Sequence, residues 1–91
     1  MLVDARDKLH KTPLHYACEN GNIDIVSLLL RQKGGYPEDE DNCGRCALHY
    51  AIYSGKSEVL ELLVSRNYDL VKQKDHAGRT ALHHAVFMEN N

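Results

Sequence analysis

The tetrapeptide Thr12-Pro13-Leu14-His15 returns as Cys46-Ala47-Leu48-His49 and again as Thr80-Ala81-Leu82-His83, each copy 34 residues after the last. A fixed period of this length constrains the chain more than any single residue. It requires a row of similar small units, each burying its apolar side against the next, in place of one globule around a unique pocket. The period extends beyond the tetrapeptide. Asp7, Asp41 and Asp75 each stand five positions before it, and Gly44 and Gly78 stand two before it, with His10 in that slot of the first copy. Tyr16-Ala17, Tyr50-Ala51 and His84-Ala85 follow it; Gly21 and Gly55, then Leu28-Leu29 and Leu62-Leu63, keep the same register.

Each unit reads as helix, turn, helix and loop. Thr12 is a helix N-cap whose oxygen accepts backbone N–H bonds, and Pro13 then falls at the first helical position, where its missing donor is harmless. The short helix should end near Gly21, which takes the left-handed conformation at little steric cost. A second helix is expected from about Ile23 to Arg31, with Ile25, Leu28 and Leu29 on its buried face. The second copy repeats the pattern, with Cys46 as a poorer cap, Gly55 as the break, and Val59, Leu62 and Leu63 as the buried stripe. Gly34-Gly35, Pro37 and Asp41-Asn42-Cys43-Gly44 predict an extended, hairpin-like connection.

These matched positions resemble the ankyrin repeat, whose pattern of aspartate, glycine turn, T-P-L-H, alanine, glycine and leucine-rich stretch covers nearly the whole chain. The resemblance implies an all-α solenoid of stacked helix-turn-helix units joined by β-hairpin-like loops. It divides the single domain 1–91 into the end of a preceding repeat (1–6), two repeats (7–40 and 41–74) and a truncated one (75–91). Leu2-Val3-Asp4-Ala5-Arg6-Asp7 aligns with Leu70-Val71-Lys72-Gln73-Lys74-Asp75, and Asn91 falls where a second helix should begin. A fragment of a longer array is therefore expected, since terminal units of a stack need polar caps. Leu82, Ala85 and Val86 should then expose apolar surface that favours end-to-end self-association.

Composition narrows the function. The net charge of −2 gives no support to a nucleic-acid or membrane partner, and one phenylalanine with no tryptophan makes a poor base-stacking platform. No run approaches the ~18 apolar residues of a membrane span, and the N-terminus has no apolar signal core. Three cysteines fit a reducing compartment better than a disulfide framework, so a cytoplasmic or nuclear setting is expected. No nucleophile elbow, phosphate-binding glycine loop or paired carboxylates are present. No enzyme activity and no cofactor are expected.

Two constellations compete with purely structural roles. Cys43-Gly44-Arg45-Cys46 with His49 has the residue types of a zinc site or redox pair, to which His10 or His76 would add a ligand. Against that, Cys46 fills the Thr slot and His49 belongs to the repeat. His15, His49 and His83 recur once per unit, about 8–10 Å apart if the helices pack normally, and so cannot share one ion. The resemblance implies that this histidine hydrogen-bonds its own turn to the neighbouring loop. The acidic run Glu38-Asp39-Glu40-Asp41 falls where the first connection should reach its tip; it matches no calcium-loop pattern.

Recognition remains. In the ankyrin family, hairpin tips and the exposed side of the first helix line a concave surface that grips partner proteins. Carried onto this sequence, the candidate partner-binding residues are Lys11 in the first copy and Arg45, Tyr53 and Lys74 in the second. In the third they are His76, Arg79, Phe87 and Met88. Arginine, aromatic residues and methionine are the types interfaces favour. The expected function is a non-catalytic protein-interaction module with a partner of unknown identity; the alternative is a regulatory or spacer segment packed on the catalytic domain of a larger enzyme.

Overall fold

Thr12 opens the first helix, α1 (Pro13–Asn20), by accepting the His15 N–H on its hydroxyl at 3.3 Å. Gly21 closes it at φ 74°. Asn22 then caps α2 (Ile23–Arg31), its Oδ1 accepting the Ile25 N–H at 3.2 Å. The second unit gives α3 (Ala47–Ser54), ended by Gly55 at φ 70°, and α4 (Ser57–Arg66), with Cys46 and Lys56 at the cap positions and no hydroxyl or amide oxygen to cap with. A short 3₁₀ helix (Tyr68–Lys72) precedes α5 (Ala81–Glu89). The computed structural model describes residues 6–32 and 35–89, with side chains through Val86. The expected tail of a preceding unit, apart from Arg6, and Gly34 lie outside the described residues.

The helices form two layers. Helices α1, α3 and α5 pack in sequence as the inner row, and α2 packs on α4 as the outer one. The result is a ribbon of 39 × 26 × 22 Å. The core runs along it through Leu14, Cys18, Val26, Leu48, Val59 and Leu63, so each unit depends on its neighbour for burial. No strand occurs among the described residues, and no helix among them is long and apolar enough to cross a membrane.

Two expectations need correction. The buried face of α2 is Val26, Leu29 and Leu30, while Ile25 and Leu28 are about half exposed, at 46% and 49%. Their counterparts on α4, Val59 and Leu62, are buried and half-buried. The difference lies in the neighbours: α4 has α2 beside it, whereas no described helix stands on the other side of α2. The segment after α4 is not a plain loop. Asn67 accepts the Asp69 N–H at 3.1 Å and starts the 3₁₀ turn, which carries Leu70 wholly into the core.

The connections end in tight turns held by an aspartate. Asp41 Oδ1 accepts the N–H groups of Cys43 (2.8 Å) and Arg45 (2.9 Å), and Asp75 does the same for Ala77 (3.0 Å) and Arg79 (2.8 Å). Neighbouring tips are bonded directly, Asn42 N–H to Leu9 O at 3.0 Å and His76 N–H to Cys43 O at 2.8 Å. The acidic run is therefore not the tip. Asp41 is buried, Asp39 pairs with Arg6 at 3.3 Å, and Glu38 O accepts from Gln73 Nε2 at 2.9 Å, beside the next connection.

One turn carries strain. Gly44 and Gly78 hold φ of 77° and 78°, and a Cβ on Gly44 would lie 2.4 Å from the His76 ring. The first turn places His10 in that conformation, at φ 61°. A left-handed non-glycine residue is disfavoured by about 1–2 kcal/mol. His10→Gly should stabilise the fold by roughly 0.5–1 kcal/mol after the added flexibility of the unfolded chain is subtracted. Urea unfolding measures it; an unchanged or lower midpoint would show that His10 earns its place by another contact.

Candidate partner-binding face

The histidine of each tetrapeptide is fixed in one tautomer. His15 Nδ1 accepts the Thr12 N–H at 2.9 Å, so Nε2 carries the proton and donates to Asp39 O (3.0 Å) and Arg45 O (3.1 Å). His49 repeats this, accepting from Cys46 N–H at 3.3 Å and donating to Arg79 O at 3.0 Å. Both rings are almost completely buried. Burial holds their pKa values below the ordinary 6.5, although the acceptors beside them pull the other way. His83 accepts from Thr80 N–H at 3.0 Å but is itself exposed.

Each aspartate has a second partner that sequence reasoning missed. Tyr16 and Tyr50 donate their hydroxyls to Asp7 and Asp41, and at the third position His84 takes over, its Nε2 3.0 Å from Asp75 Oδ2. The signal was present as a constant spacing of nine residues between aspartate and aromatic, |i−j| being the same in all three pairs. The Tyr16 hydroxyl and the Lys11 and Leu9 amides lower the Asp7 pKa. For Asp41, burial pushes upward but the Tyr50 hydroxyl and two turn amides prevail. Asp75, against the same desolvation, falls to about 2 through the Arg79 amide, His84 and the Ala77 amide.

Rings from three units form one belt on the inner row. His15 meets Tyr50 edge-on at 5.3 Å, Tyr50 meets Tyr53 at 6.1 Å, Tyr53 meets His84 at 5.5 Å, and His84 meets His49 at 5.3 Å. Tyr53 OH also lies 3.0 Å from His84 Nδ1. Cations sit on this belt: Lys11 Nζ is 4.2 Å from the Tyr16 centroid and 4.6 Å from that of Tyr50, and Arg45 Cζ is 5.6 Å from that of Tyr53.

Of the residues singled out from sequence, Lys11, Arg45 and Tyr53 therefore converge. Arg79, His76 and Lys74 are exposed on the connections. The side chains of Phe87 and Met88 lie outside the described ones. The thiols do not converge as ligands: Cys43 is exposed, whereas Cys46 is fully buried and its pKa is raised by that burial. A different group, His49, Asp75 and His84, brings candidate metal-ligand atoms within 4.8 Å. Its nitrogens are already committed, His49 Nε2–H to Arg79 O and His84 Nε2 to Asp75, so the arrangement reads as a hydrogen-bond network.

The ribbon also has an apolar groove of about 410 Å³, lined by Leu60, Val64, Tyr68, Val71, Leu82 and Ala85 among others. Leu82 is 69% exposed.

Stacked helix pairs, tied by buried histidines and aspartate turns, define a repeat solenoid. The chain belongs to the ankyrin repeat family: the model for Ankyrin repeats matches in three copies, over residues 1–75 and 34–91. It is also similar to the human (Homo sapiens) protein "Ankyrin repeat domain-containing protein 7", with 48% identity over 31 residues. That match covers 34% of this chain and 12% of the relative, so the chain spans only a small part of that protein. Ankyrin repeats are generally protein-interaction modules.

The buried histidines and turn aspartates set a sign for pH dependence. A histidine with a lowered folded pKa is neutral in both states above 6.5; below that the unfolded chain binds protons first and stability falls. An aspartate with a lowered folded pKa stabilises above 3.8, and this is lost as pH falls toward about 2 for Asp75. Unfolding free energy should therefore be level between about pH 7 and 8, decline as pH falls below 6.5, and drop again as pH falls through 3.8. It should also decline above about pH 9, where the unfolded chain ionises thiols that burial keeps protonated at Cys18 and Cys46. His49→Asn should flatten the first decline, by urea titration at each pH. An equally steep decline in that variant would assign the effect to other groups.

Proposed function

We propose that this chain is a non-catalytic protein-interaction module that holds its partner on the inner face and turn tips, through Lys11, Arg45, Tyr53, Lys74, His76, Arg79, Phe87 and Met88. The observation that carries this reading is the cation-topped aromatic belt. Tyr50 and the histidines in it serve the fold, but Arg45 and Tyr53 remain partly open to solvent at its surface. Arginine and tyrosine are among the residue types that dominate interface energetics. Arg45→Glu combined with Tyr53→Ala should lower partner recovery from cell lysate at least about tenfold, measured well below the variant's own thermal midpoint. Equal recovery by a fully folded variant would move the interface elsewhere.

A second contact, between copies of this chain, is favoured by the two apolar ends. Ile25 and Leu28 are half exposed at one, and Leu60 and Val64 line the groove at the other. Their period equivalents are Val59 and Leu62, and Val26 and Leu30, residues of the two helices that pack together as α2 and α4. One copy therefore offers another the kind of surface that its own outer helices share. Sedimentation should show mass rising with concentration and reverting in Leu60→Asp; a monomer at every concentration would exclude this contact.

A further inference from the structure

The residue just before each tetrapeptide is a cation in all three copies: Lys11, Arg45 and Arg79. Helix packing spaces such equivalents about 8–10 Å apart. Their surroundings differ in a way that matters for a ligand. Lys11 Nζ is already matched by Glu19 Oε1 at 3.3 Å, and its side chain is only 10% exposed. Neither Arg45 nor Arg79 makes an ion pair among the described residues. Arg45 Nε, moreover, is buried with no acceptor among them. The acids nearest to them are engaged by backbone and aromatic partners. Asp41 and Asp75 accept from their own turns, while Asp24, Glu58 and Glu61 line the groove between α2 and α4 on the outer layer. A chain of net charge −2 thus carries two arginines at the turn tips with no ion-pair partner among the described residues.

From this we infer the chemistry of the partner: an acidic segment in the polyproline II conformation, with two carboxylates three residues apart seated on Arg45 and Arg79. This rests on the inner-face reading proposed above. A polyproline II chain repeats every three residues with a rise of about 3.1 Å per residue, so such carboxylates share one side about 9 Å apart, matching the unit spacing. A β-strand alternates faces and sets residues three apart on opposite sides. The planar guanidinium takes a carboxylate on two parallel N–H groups. Tyr53 supplies the ring against which an intervening proline packs. Glu19 fixes the end of the register, because it neutralises Lys11 and leaves a third carboxylate nothing to gain there.

The test uses the whole chain and labelled synthetic peptides, read by fluorescence anisotropy. One proline-rich peptide carries two glutamates three positions apart; its isomer carries them adjacent. The spaced peptide should bind about fivefold or more tightly, with affinity falling as salt rises. Arg45→Gln and Arg79→Gln should each remove that advantage, while Arg66→Gln on α4 leaves it intact. Glu19→Gln should strengthen binding of a peptide with a third glutamate in the same spacing, and not of the two-glutamate peptide. Equal binding of the isomers, or indifference to both arginines, overturns the inference. So does tighter binding of a single-stranded oligonucleotide than of any peptide. Competition separates it from the reading beneath it. If a captured cellular protein depends on Arg45 but is not displaced by the spaced peptide, the inner face stands and this partner chemistry falls; if no captured protein depends on Arg45 or Arg79, both fall.

Discussion

The stack depends on an imidazole locked between two backbones. His15 and His49 each accept from the N–H of the residue that caps their own helix and donate to a carbonyl of the following turn. A buried ring that spends both nitrogens in this way leaves no freedom in the angle between one unit and the next. The aspartates complete the lock from the other side. Each closes its turn through two backbone N–H groups and draws an aromatic residue of the inner helix toward it. Neighbouring turns are then joined by direct backbone bonds, so polar and apolar contacts run along the ribbon in the same register.

The proposed binding face is compatible with such a frame because it draws mainly on groups that the frame leaves open. The nitrogens and oxygens that bear the fold are buried and paired. The residues left partly open are Arg45 and Tyr53, beside the exposed Arg79, His76 and Lys74. The substitution of histidine for tyrosine at position 84 shows how the frame varies without breaking: His84 keeps the aspartate contact and adds one to Tyr53.

Helix positions were legible because their signals are local. Thr12, Pro13, Gly21 and Gly55 act on the backbone within one turn, and the helices begin and end at them. The candidate face was legible only in part. The arginines and Tyr53 stood out by residue type, but the belt that holds them joins residues about thirty positions apart, such as Tyr53 and His84. The misreading of Ile25 and Leu28 has the same origin. Period and hydropathy mark them as apolar, but whether an apolar residue is buried depends on a neighbour that the helix itself does not specify.

The sequence by itself determined the repeated unit, its caps and turns, and the family, because each follows from chemistry within a few residues and from a period countable on the page. Only the tertiary structure decided which face of α2 is buried, that Leu70 anchors a 3₁₀ turn, that the acidic run lies beside the next connection, and that Lys11 pairs with Glu19. Those outcomes depend on distances between units, and one repeat carries no information about what packs against it.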